Sequence, residues 1–255
     1  MAAGARVRST WETSVVDQPQ QALLLVVLQN LVLVCLTIGA FWGGVLLARS
    51  FGRKIGYSLA PLGFSRPRGG FFVGAGAGFL TGLGALLVSA LVNPVSVRVF
   101  DRLGYSTEST VQQPFMRGLM GWVRESPGVA IPAIICVVVI FGPAVEELVF
   151  RGAIFNGLYR LGGLISMGMR GTGYSGRATT NVSFALSALV SSGVFALLHL
   201  EPVLLPGLLV LAVILCALFA RTGSLLPTFV AHATFNSLAV LLIILGGLGI
   251  FEIPL

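Results

Sequence analysis

The chain has 255 residues, 56% of them hydrophobic and only 10% charged. A soluble domain carries about 25% charged residues, so a water-soluble fold is excluded, and continuous rather than alternating apolar runs argue against a membrane β-barrel. The net charge of +7 sits in loops between apolar runs, without a basic stripe interleaved with aromatics. That pattern speaks for basic flanks of membrane helices and against a nucleic-acid surface.

The expected fold class is all-α, a polytopic transmembrane helix bundle of about seven spans, with six to eight admitted. Each crossing needs about 20 apolar residues. Residues 1–21 form a polar N-terminal segment carrying Glu12 and Asp17. The apolar run that follows is too long for a signal-peptide core, so it reads as a retained first helix of a single membrane domain, 22–255. Spans are expected near 22–47, 71–92, 127–142, 144–162, 182–199, 203–220 and 225–247.

The connection 49–70 holds Arg49, Arg53, Lys54, Arg66 and Arg68 and no acid, which places it in the cytoplasm. The span after it carries Gly74, Gly78 and Gly82 at four-residue spacing. Such a stripe lets helix backbones approach closely in lipid, within the chain or, as the second use, across a homodimer. Connection 93–126 is mixed in charge, with Arg98, Asp101, Arg102, Glu108, Arg117, Arg124 and Glu125, and belongs outside. Pro143 then permits either a turn between two helices or a kink in one. The turn is preferred, because about 36 residues at 1.5 Å each exceed one crossing. Segment 161–181, rich in Gly and Ser and carrying Arg170 and Arg177, reads as a flexible loop. The three cysteines, Cys35, Cys136 and Cys216, lie inside apolar runs and form no zinc or disulfide pattern.

Ionisable groups inside spans are costly and are functional candidates. Glu147 and Arg151 are four apart with the acid first, the favourable order for a helical ion pair. Glu146 points about 100° away, has Phe150 one turn on and lacks a basic partner on its own helix, so it must find water, a metal or a histidine. His199 follows Phe195 by four, and His232 precedes Asn236 by four. Lipid offers none of these groups a partner, so they need one another. Such a set supports hydrolysis, a glutamate taking a proton from water while donors stabilise the oxyanion. It equally suits zinc, although the His-Glu-x-x-His run is absent.

Glu146-Glu147-Leu-Val-Phe-Arg151, Phe195-Ala-Leu-Leu-His199 and His232-Ala-Thr-Phe-Asn236, in this order, resemble the CAAX protease and bacteriocin-processing (CPBP, or Abi) family, which includes the type II CAAX prenyl endopeptidases. Phe150-Arg151-Gly152 and Arg221-Thr-Gly-Ser224 also look like that family, and the resemblance covers about 127–240. It implies an intramembrane protease whose site lies below the cytoplasmic face of a plasma membrane. By it, Glu146 activates water, His199 positions the water or Glu146, and His232 and Asn236 stabilise the oxyanion. Glu147 and Arg151, with Phe150 and Phe195, shape the site or meet a peptide or membrane-protein substrate. A metal-free glutamate mechanism is favoured. The zinc alternative uses Glu146, His199 and His232, and a non-catalytic membrane scaffold is the rival outside enzymology.

Overall fold

A computed structural model describes residues 18–107, 112–168 and 176–252. Among the described residues there is no strand, and six helices are long and apolar enough to cross a membrane. We number the elements α1 (Pro19–Ser50), α2 (Phe71–Arg102), α3 (Gln112–Glu125), α4 (127–168), α5 (Gly176–Leu197), α6 (Leu205–Thr222) and α7 (Leu225–Gly247). The six are all of these but the short α3. The polar segment 1–21, with Glu12 and Asp17, lies outside the described residues up to residue 17.

Local chemistry sets several boundaries. Prolines open α1, α4 and α6 in their first turn, where a missing N–H costs nothing. Helix α6 stops at Gly223, whose φ of 67° suits glycine alone at little cost. Ser224 then caps α7 by accepting the Leu226 N–H. The loop after α1 is stitched onto this tight turn. Ser65 Oγ donates to the Gly223 carbonyl, Ser224 Oγ donates to the Ser65 carbonyl, and the Leu225 N–H donates to the Gly63 carbonyl. Arg68 reaches the Arg221 carbonyl. Arg49, Arg53, Lys54, Arg66, Arg68 and Arg221 therefore gather at one end of the bundle.

The main departure from the expected topology is α4. Pro143 makes no turn. The helix runs on through a π-helical stretch (Ile135–Phe141), an α-helical one (Gly142–Glu146) and a second π stretch (Glu147–Phe155) before closing as α-helix (Asn156–Gly168). The length argument failed because wider π turns advance less per residue, and because helices here overshoot the hydrocarbon freely: α1 and α2 have 32 residues each, or about 48 Å. Two expected spans, 127–142 and 144–162, are thus one. The loop read at 161–181 is helical over 161–168 and from 176 onward, and 169–175, with Arg170, lies outside the described residues. With one crossing fewer, α4 ends and α5 begins at the basic end. The long connection 93–126 is mostly helix as well, because α2 continues past Pro94 and α3 occupies 112–125. Glu108 lies outside the described residues.

Packing relies on small residues, as expected where lipid removes the hydrophobic drive between helices. Gly74, Gly78 and Gly82 are buried and face α7. A Cβ at Gly82 would lie 2.6 Å from the Ala231 carbonyl oxygen, and one at Gly78 would strike that of Pro227. The stripe is therefore spent on packing within the chain. Cys35 and Cys136 face outward and Cys216 is buried.

Candidate active site

Four of the expected residues meet where α4 crosses α7. Glu146 ends the α-helical stretch of α4 and Glu147 begins the second π stretch. Neighbours on a helix diverge by about 100°, so these two carboxylates form a fork. His232 fills it. Its Nδ1 lies 2.8 Å from Glu147 Oε1, and its Nε2 lies 3.7 Å from Glu146 Oε2. The two nitrogens sit on opposite edges of one ring, which is why one imidazole serves both acids. His232 lies seven residues beyond the start of α7, about 10 Å in from the basic end.

The two acids are not equivalent. Glu147 is fully buried, as is Arg151, and the guanidinium nitrogen Nη1 approaches Glu147 Oε1 at 3.0 Å. That separation is an ion pair, although Nη1 lacks hydrogen-bond alignment, so the attraction is mainly Coulombic. Arg151 also stands over the Phe195 ring at 4.7 Å and donates weakly to the Ala212 carbonyl at 3.4 Å. A carboxylate beside a guanidinium can only accept from His232, so Nδ1 carries a proton and donates it, while Nε2 faces Glu146. Glu146 keeps 25% of its side chain exposed. It is the acid with open space before it.

Phe195 is the hub of the wall. Its buried ring meets Phe150 edge-on at 5.2 Å, His199 at 4.6 Å and His232 at 5.8 Å. His199 arrives from the end of α5 remote from the basic loops, and its side chain is open. Its Nδ1 donates to the Phe195 carbonyl at 2.8 Å, which leaves Nε2 as an acceptor. Leu200, at φ 54°, follows it in a left-handed turn. Glu146 lies mid-helix, and His199 joins the cluster through Phe195, whose ring also meets His232. Asn236 is on the His232 face of α7, but its Nδ2 donates to the Val138 carbonyl at 3.0 Å.

The motifs did not reveal two supporting groups. Thr228, fully buried, lies beside Glu147 and precedes His232 by four, so the same spacing argument applied one turn earlier would have found it. Ser191 donates to the Phe150 carbonyl at 2.8 Å and carries no sequence signal. Gly152 also gains a reason, since a Cβ there would lie 2.5 Å from the Leu62 carbonyl oxygen. As for metal, no group of three His, Cys, Asp or Glu side chains among the described residues is arranged to hold an ion. Glu146 and His232 come together, with His199 one ring away.

At the basic end an open cavity of about 800 Å³ lies between the 63–71 loop and the start of α7, lined by Phe64, Pro67, Phe71, Leu225 and Phe229, with Arg66 at its polar side. Ala144 also lines it, so the cavity touches the turn of α4 that leads into the glutamates.

Residues 128–238 match the family model described as type II CAAX prenyl endopeptidase Rce1-like. The segment carrying all three motifs is thus similar to that family over less than half of the chain. No curated protein and no solved structure matches the chain. The matched stretch runs from the start of α4 to two residues past Asn236, so it contains the whole cluster just described. It is similar to a CAAX-type membrane protease family, in agreement with the resemblance drawn from the motifs.

Proposed function

We propose that the protein is an intramembrane endopeptidase in which Glu146 activates the attacking water. The observation that carries this reading is the division of labour between adjacent acids. Glu147 is buried and held by Arg151 and His232, whereas Glu146 is partly open and faces the other nitrogen of the same histidine. Glu146 takes a proton from water as the water oxygen bonds to the peptide carbonyl carbon. The carbonyl oxygen becomes an oxyanion, which His232 stabilises through an Nε2 proton while Glu147 balances the imidazolium from the other side. Collapse breaks the C–N bond, and the proton held on Glu146 passes to the leaving amine. His199, its Nε2 free, orients the water or Glu146. No step in this sequence needs a metal. A zinc-dependent version would draw on Glu146, His199 and His232.

The apolar cavity beside Ala144 favours a substrate that brings an apolar or lipid-modified segment to the bilayer surface, in keeping with the prenyl endopeptidase description of the matched family. The charge bias of the basic loops supports a cytoplasmic position for that end.

The test compares protein termini in membranes from cells expressing the wild type or Glu146→Gln at equal abundance. Termini unique to the wild type are expected. Identical termini in the two, with any phenotype surviving the substitution, would move the assignment to a non-catalytic scaffold.

A further inference from the structure

Pro143 is fully buried and lies three residues before Glu146, inside a helix that does not break. The π stretch just before it commits the Gly142 N–H to the Val137 carbonyl, five residues back. The next residue, which in the same register would donate to Val138, is proline and has no N–H. The Val138 carbonyl thus loses both of the donors a helix could offer it, in a part of the bundle where lipid and packed side chains supply none. Asn236 donates to it from α7 at 3.0 Å.

We propose that Pro143 and Asn236 are a paired positioning device for the acid on α4. Proline and the π register leave one carbonyl open, and the amide of α7 closes it. Because Asn236 lies one turn beyond His232, α7 grips α4 at two heights: His232 between the glutamates, and Asn236 at the Val138 carbonyl. The second grip sets the rotation of the stretch that ends at Glu146, and so sets the 3.7 Å separation of Glu146 from His232. Asn236 acts here through the backbone of α4, as a positioning residue, rather than solely as a donor to a reacting oxygen. Pro143, which no motif includes, is the other half of the device. Both π stretches flank Glu146, in line with the placement of π segments at functional sites.

The inference rests on the assignment of Glu146 as the base, and its test separates the two. Wild type, Asn236→Ala, Pro143→Ala and the double variant are purified in detergent. Hydrogen–deuterium exchange of the 138–147 backbone is measured on each, together with kcat and KM on a reporter peptide built from a wild-type-specific terminus. Asn236→Ala is expected to speed exchange across 138–147 and to lower kcat about 100-fold with KM little changed, the size of a misplacement of about 1 Å. Adding Pro143→Ala supplies a backbone N–H for Val138, slows exchange again and restores kcat about ten-fold. An amide that acted only on the oxyanion would give neither recovery, and that result overturns the inference. Exchange is read without catalysis, so a chain with no activity still decides it, whereas an active Glu146→Gln would sink the base assignment alone. Where Asn236→Ala fails to accumulate, Asn236→Leu, which keeps the volume and removes the donor, takes its place.

Discussion

Replacing Arg151 with methionine should cost the fold far more than replacing both members of its ion pair. Arg151 and Glu147 are fully buried and 3.0 Å apart. At an effective dielectric near 20, unit charges at that distance attract by about 5 kcal/mol. Methionine fills similar space but leaves the Glu147 carboxylate without its cation, held by His232 Nδ1 at 2.8 Å. It also removes the guanidinium from the Phe195 face, a contact of about 0.5–2 kcal/mol. Breaking one side of a buried pair typically costs about 3–5 kcal/mol, whereas removing both sides is often near neutral. Arg151→Met should therefore lower unfolding free energy by about 3–5 kcal/mol, and Arg151→Met/Glu147→Gln should recover more than half of the loss. The assay is reversible unfolding in mixed detergent–SDS micelles, followed by tryptophan fluorescence. Single and double variants equally unstable, or a single variant as stable as wild type, would refute the reading of Glu147 as a charge held by Arg151.

Other expectations follow from the same geometry. Gly78→Val should destabilise the bundle by about 1–3 kcal/mol by overpacking against Pro227, whereas Gly76→Ala, with open space at its Cβ, should leave the unfolding midpoint within error. Activity is expected to survive exhaustive chelation; loss on chelation with recovery on zinc would replace the metal-free mechanism. Single cysteines at Lys54, Thr180 and Tyr105, in a background lacking Cys35, Cys136 and Cys216, test the single crossing of α4. Positions 54 and 180 should be labelled from one side of the membrane and 105 from the other. Labelling of 180 with 105 would restore the turn at Pro143.

Much of the site was legible because it depends on residues lipid cannot tolerate alone. Glu146, Glu147, His199, His232 and Asn236 were conspicuous as polar groups in apolar runs, and the i,i+4 rule linked Glu147 to Arg151. Three things were not legible. The course of α4 past Pro143 depends on a π register that propensity does not encode. The identity of the acid that holds His232 depends on which edge of the imidazole meets which arm of the fork. The commitment of Asn236 to Val138 depends on a carbonyl freed 98 residues away.

Composition alone determined the membrane, the helices and, through the glycine stripe on α2, a close helix contact, because those follow from local hydrophobicity and side-chain size. The number of crossings, the partner of the stripe and the unequal roles of Glu146 and Glu147 were decided only by the tertiary structure. A buried polar group takes whichever partner the packing brings within reach, and that choice is made between helices, not along one.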